Sequence, residues 1–211
     1  YLFLLTGGSF ILASCNDFLD REPLDSVTPD NFFFTENDLA AYAVKHYNFT
    51  THEGFNAGIW KNDNATDNQA ATDYDKKWIP GQWKVPEAYD NPASNDPWYF
   101  STIREANYFL ETVVPRFEKG EIEGSETNIK HYIGEMYFLR AKNYLSKLET
   151  FGDFPIIKNT LPDESESLIQ ASKRAPRYKV AHFILEDLDQ AISLLTNNIS
   201  GGKNRITKNA A

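Results

Sequence analysis

The chain of 211 residues holds a single cysteine, Cys15. One thiol excludes a disulfide framework within the chain. Basic residues are outnumbered, 21 Lys and Arg against 30 Asp and Glu, for a formal net charge of −9. An acidic surface argues against nucleic-acid binding, which wants a basic patch, and against adhesion to anionic membrane surfaces. After residue 15, no run is long and apolar enough to span a bilayer. The four histidines, His46, His52, His131 and His182, form no His-Glu-x-x-His pair, so a zinc site is unsupported. There is no Gly-x-Ser-x-Gly elbow and no phosphate-binding glycine loop.

Carboxylate pairs such as Asp73 with Asp75 are sequence neighbours on a loop, which does not make the facing, spaced pair that glycoside hydrolysis needs. Asp63-Asn64-Ala65-Thr66-Asp67 offers oxygen ligands but lacks the glycine and distal glutamate of an EF-hand, so it reads as a solvated acidic loop. The expectation is a protein that is not an enzyme and carries no metal or cofactor.

What is present is a globular composition, 41% hydrophobic and 14% aromatic. Cys15 ends an apolar stretch, Phe10-Ile11-Leu12-Ala13-Ser14, and residues 1–14 contain no charge. A leucine and two small residues before the cysteine end a bacterial lipoprotein signal peptide, in which the thiol is the point of lipid attachment. The stretch is about an h-region in length and too short to cross a membrane. Polarity then changes abruptly at Asn16-Asp17-Phe18-Leu19-Asp20-Arg21-Glu22. The competing reading is a short buried helix with an inert thiol. The expected organisation is a signal peptide over 1–14, cut at its start because Tyr1 stands where a methionine would, then an extended leader over 15–34, then a helical region over 35–211.

The fold class expected is all-α. Thr35, with Asp38 three residues on, reads as the N-cap of a helix over 36–48. Asp96 and Pro97 read as the cap and first position of a second helix, with Tyr99, Ile103, Ala106, Leu110, Val113 and Phe117 as one apolar stripe. Pro115 is expected to end or kink it near Val114. A third helix is expected from about Thr127 to Phe151, stopping at Gly152. Ile129, Ile133, Met136, Ala141, Tyr144, Leu148 and Phe151 face one way, widened by Phe138, Leu139 and Leu145. Gly134 and Ala141 on this helix let a neighbouring backbone come close. Arg140, inside the apolar pattern, is expected to pair with a buried carboxylate or cap a turn. Gly152 to Ile157 reads as a turn into a short extended piece. A fourth helix is expected from near Pro176 to about Asn197, with Val180, Ile184, Leu188, Ala191, Ile192 and Leu195 inward. Thr207 reads as one more cap, four residues before the last residue, which predicts that the chain continues.

Residues 49–96 show no period of 3.6 or 2 and include Trp60, Trp78 and Trp83. A loop of this length is more often functional than passive. Sugars present CH faces that stack on Trp and Tyr, and hydroxyls that need polar partners. Asn68, Asp73, Tyr74, Trp78, Gln82, Trp83 and Tyr89 offer both kinds of group and are the candidate ligand residues. The alternative is that the rings pin the loop to the helices. It is favoured for Trp98, and both readings stand open for Trp78 and Trp83.

Four segments in order resemble the N-terminal portion of the SusD/RagB family of outer-membrane nutrient-binding lipoproteins of the Bacteroidetes. They are Ser14-Cys15-Asn16-Asp17-Phe18-Leu19-Asp20; Trp98 to Asn107 with its Ile103 and Ala106-Asn107; Gly134-Glu135-Met136-Tyr137-Phe138-Leu139-Arg140-Ala141 leading to Phe151-Gly152-Asp153-Phe154-Pro155; and Glu186 to Ile192 followed by Arg205-Ile206-Thr207. The resemblance implies paired antiparallel helices of tetratricopeptide type and a surface lipoprotein anchored by lipid on Cys15. It also implies a TonB-dependent SusC-like barrel transporter as partner, under this protein as a lid. The implied cargo is an oligosaccharide or, in some members, peptide. Acidic residues just after Cys15 resemble a surface-export signal of this bacterial group. Asp25-Ser26-Val27 matches its O-glycosylation pattern, as three residues also do by chance.

Overall fold

A computed structural model describes residues 32–47, 49, 79–82, 84–86, 96–199 and 204–211. Among these residues five α-helices stand in chain order: α1 Glu36–Lys45, α2 Ser101–Glu118, α3 Glu126–Phe151, α4 Ser165–Ala171 and α5 Arg177–Leu194. A 3-10 turn follows at Lys208–Ala210. All belong to one unit spanning Phe33–Ala211. Among the described residues the only β pairings are two isolated bridges, Thr35 with Glu123 and Phe154 with Ala175. The chain is mainly helical, as the sequence predicts.

The helix starts follow local chemistry where the cap is local. Thr35 Oγ1 accepts from the Asp38 amide at 3.3 Å and Asp38 Oδ2 accepts from the Thr35 amide at 3.0 Å, a reciprocal capping box. The helix ends at Lys45, three residues before the expected end. Phe33, just upstream, has a φ of 71°, unusual for a bulky residue. Its ring is fully buried against Tyr42 at 5.0 Å and Phe109 at 5.3 Å, and that burial offsets the strain.

The expected start of α2 fails. The helix begins at Ser101, and Asp96 caps only a turn, accepting from the Trp98 amide at 2.8 Å. Trp98 and Phe100 are held instead by aromatic contacts with Phe151 and Phe154, which override the local start signal. Pro115 does not end the helix, which runs on to Glu118. Only the Glu111 carbonyl loses its donor. Glu111 and Pro115 are both exposed, on the side of the helix where solvent can take the place of the missing donor, and the Arg116 guanidinium lies over the Phe34 ring at 4.2 Å beside the last turn.

The central element is α3, which packs on α1, α2 and α5. Thr102 meets Asn143 and Asn107 meets Arg140, so α2 runs antiparallel to α3. Tyr144 meets Phe183, Arg140 meets Asp187 and Gly134 meets Leu195, so α5 is antiparallel on the other side. A Cβ on Gly134 would lie 3.0 Å from Leu195 Cγ and 3.2 Å from the Leu195 amide nitrogen, which is the close approach the glycine permits. Ile129, Ile133, Met136, Leu139, Ala141, Tyr144 and Phe151 are buried as expected, while Phe138 and Leu148 are half-buried. Leu145 is 45% exposed and does not widen the stripe, because α2 and α5 cover the faces to either side of it.

Gly152 closes α3 at φ 72°, its amide donating to Leu148 O at 2.9 Å. The extended piece that follows is pinned by Tyr144, whose hydroxyl donates to Ile157 O at 3.1 Å and accepts from Ile157 N at 2.9 Å. Burial pushes this phenol up to about 12. Helix α4 has no counterpart in the sequence reading, because it buries no residue and so carries no core-facing period.

Candidate functional site

Of the candidate ligand residues, Gln82 is the one within the described residues. It is exposed in the turn 79–82, its amide donating to Ile79 O at 3.0 Å, with Gly81 at φ 78°. Asn68, Asp73, Tyr74, Trp78, Trp83 and Tyr89 lie outside the described residues, as do Cys15, His52, the Asp63–Asp67 loop and the Asp25-Ser26-Val27 triplet.

The described ends of the aromatic loop converge on the C-terminus of α3. Trp98 Nε1 donates to Pro86 O at 2.7 Å, and Lys147 Nζ donates to Pro97 O. The Trp98 ring stands 4.3 Å from Phe151 and 6.0 Å from Phe154, with Phe151 and Phe154 themselves stacked at 5.2 Å. Trp98 is therefore a structural pin, as expected. Beside this cluster opens a cavity of about 630 Å³, lined by Val85 from the loop, Leu148, Glu149 and Phe151 from α3, and Arg177 and Tyr178 from α5. Tyr178 is 59% exposed and Val85 43%. An open apolar and aromatic rim with Glu149 and Arg177 for hydroxyl partners suits a polyhydroxylated ligand.

The first turn of α5 and its approach are unexpectedly basic. Lys173, Arg174, Arg177 and Lys179 put four positive charges into seven positions of a chain with net charge −9, and all four are exposed. This local reversal of charge stands in the sequence as Lys-Arg-Ala-Pro-Arg-Tyr-Lys and was masked by reading the balance over the whole chain. Arg174 lies 5.4 Å over the Trp98 ring, and the Arg177 amide donates to Asp153 Oδ1 at 2.8 Å.

Two buried polar clusters tie the helices together. In the first, Arg140 forms a bidentate pair with Asp187, Nε to Oδ2 and Nη2 to Oδ1 both at 2.7 Å, and Nη1 donates to Asn107 Oδ1 at 2.9 Å. Asn107 Nδ2 donates to Ile157 O at 2.8 Å. This is the carboxylate partner expected for Arg140. Burial pushes the Asp187 carboxyl up, with Arg140 pulling it back. In the second, fully buried Glu135 takes Arg205 Nε at 2.8 Å and the Tyr47 hydroxyl at 2.7 Å, while Tyr47 accepts from the Ile206 amide at 3.0 Å. His131 Nδ1 accepts from the Thr196 amide at 3.2 Å, so its Nε2 carries the proton and donates to Glu135 Oε1 at 3.1 Å. Both clusters spend their hydrogen bonds on joining elements. The Glu135–Arg205 link spans 70 residues, and no local pattern announces it.

Among the described residues no group of three His, Cys, Asp or Glu could hold a metal ion. Among them too, no helix is long and apolar enough to cross a membrane.

Comparison with known proteins places these features in a family. The chain is 25% identical over 186 residues to SusD-like protein P2 of Formosa agariphila, covering 85% of this chain and 35% of that protein. It is 27% identical over 201 residues to SusD-like protein P38 of the same organism, covering 93% and 37%. It thus spans little more than a third of the length of these curated relatives. The crystal structure of a SusD-like protein from Bacteroides fragilis superposes with a TM-score of 0.57 at 25% identity, over 90% of this chain and 36% of that one. A SusD-like carbohydrate-binding protein from the same species shares the fold at a TM-score of 0.59 and 18% identity, over 85% and 36%. Residues 17–211 match the model of the SusD-like family described as starch-binding and associating with the outer membrane, and the chain belongs to that family.

Proposed function

We propose that the full-length protein is a non-enzymatic lipoprotein of the outer-membrane surface that captures oligosaccharide and delivers it to a TonB-dependent SusC-like barrel. The observation that carries this reading is the family match over residues 17–211. The cavity at the described ends of the aromatic loop supports it with a place for a sugar. In this reading residues 1–14 are the signal peptide, Cys15 carries the lipid, 15–34 is the leader, and 35–211 is the N-terminal helical region. Asn68, Asp73, Tyr74, Trp78, Gln82, Trp83 and Tyr89 supply stacking faces and hydroxyl partners, with Tyr178 at the cavity rim. Peptide as cargo is the neighbouring possibility within the family resemblance.

Titration of the full-length protein with a panel of neutral and acidic oligosaccharides and with peptides tests the reading. Binding of at least one glycan is expected, and tight binding to peptides alone overturns the sugar. Trp78→Ala with Trp83→Ala is expected to cost about 1–3 kcal/mol of sugar binding, roughly 5- to 150-fold. Sugar affinity kept while co-purification of the barrel is lost would instead make the aromatic loop a transporter contact.

A further inference from the structure

Resting on the glycan-capture reading, we infer that the cavity between the α3 C-terminus and the α5 N-terminus takes an acidic oligosaccharide, one bearing carboxylate or sulfate groups. Two independent features meet there. The first is the sugar-sized opening of about 630 Å³ with the exposed Tyr178 ring on its rim. A cavity of this size is ample for a small ligand, and a tyrosine face suits the CH face of a pyranose. The second is the basic run on the same element. Arg177 lines the cavity, Arg174 is fixed over Trp98 in the cluster that walls it, and Lys173 and Lys179 flank them.

Among the described residues these cations are not spent on carboxylates. Among the described residues none of the four has an ion pair: Lys173 donates to the neutral Gln170 Oε1 at 2.6 Å, and Arg174 contacts a ring. Elsewhere on the unit exposed cations do find acids, Lys45 with Glu105 and Lys158 with Glu186. Asp153 and Glu149, both on this side, act differently. Asp153 is engaged by the Arg177 backbone amide, and Glu149 is left to accept from sugar hydroxyls. The first turn of α5 carries no acidic residue, so the positive end of the helix adds to the basic run. A neutral glycan would leave four clustered like charges uncompensated. An anionic one neutralises them and is drawn in by them. Arginine forks also match carboxylate and sulfate geometry.

The test uses the full-length protein and three probes of matched length: oligogalacturonate, chondroitin sulfate oligosaccharide and maltoheptaose. At about 0.05 M salt at least one acidic probe is expected to bind roughly tenfold tighter than maltoheptaose, with that advantage falling away near 0.5 M salt. Arg177→Gln with Lys179→Gln is expected to weaken the acidic probe about tenfold, since each exposed charge acts at close range on a bound anion, while the thermal midpoint stays put. Both side chains are exposed, and the bond to Asp153 comes from the backbone, so the fold survives the change. Preference for maltoheptaose, or acidic binding that ignores the double variant, overturns the inference and leaves glycan capture standing. A double variant that loses the barrel partner yet keeps the acidic probe also overturns it, making the patch a protein contact. Failure of every glycan to bind instead removes the reading on which the inference rests.

Discussion

Arg140 brings a full positive charge to a position 5% exposed, and Asp187 meets it at 3%. Removing two ions from water is costly, and the pair is tolerable because the guanidinium makes two bonds to Asp187 and a third to Asn107. Breaking one side is therefore worse than removing both. Arg140→Met is expected to lower stability by about 3–5 kcal/mol in urea unfolding, with Arg140→Met plus Asp187→Leu recovering much of the loss. The sign with pH follows from Asp187. Burial already pushes its carboxyl up, and loss of Arg140 pushes it further, so the folded variant holds a proton that the unfolded chain releases. The deficit of the single variant is thus largest at neutral pH and shrinks as pH falls toward the carboxylate range. An unchanged deficit between pH 7 and pH 4.5 would count against a buried, charged Asp187.

At the scale of elements, what was legible in the sequence was whatever the chain decides within a few residues. The Thr35 capping box, the Gly152 stop and the inward stripe of α3 are local chemistry, and each stands where expected. The start of α2 misleads because Asp96 and Pro97 form a sound local cap that contacts far along the chain, Trp98 with Phe151 and Phe100 with Phe154, displace to Ser101. Pro115 does not stop α2, because only one carbonyl, that of exposed Glu111, loses its donor. Helix α4 is silent because it buries nothing. The cavity unites Val85 with Tyr178, which no periodicity places together. Gly134 was legible as a small residue on a packed face, and its consequence can be measured. Gly134→Leu drives a side chain into Leu194 and Leu195, whose atoms lie 3.0 to 3.2 Å from the position of a Cβ. The overpacking is expected to cost about 1–3 kcal/mol despite the better helix propensity of leucine, read as a lower denaturation midpoint. A neutral or stabilising result would mean that α5 can slide on α3.

The whole molecule, as proposed, is a helical unit held at a surface. The unit Phe33–Ala211 puts the cavity and the basic run at one end of the antiparallel α3–α5 pair. A lipid on Cys15 would hold that unit where cargo arrives, and the leader over 15–34 would set its reach. An acidic chain of net charge −9 gains nothing from an anionic membrane surface, so in the proposed arrangement the lipid is what retains it. Each buried CH₂ of an acyl chain contributes about 0.8 kcal/mol, and stable anchoring takes more than one chain, as a multiply acylated cysteine would supply. Cys15→Ala in the full-length protein is therefore expected to move it from the membrane to the soluble fraction while its circular dichroism and thermal midpoint stay unchanged. Labelling with a clickable fatty acid should mark the natural protein and not the variant. Protease added to intact cells should cleave the natural protein, as surface exposure requires. Membrane retention of Cys15→Ala without label would leave protein contacts as the tether and remove lipid from the account. A labelled protein shielded from protease in intact cells would keep the lipid but turn the unit to the periplasmic side, away from cargo.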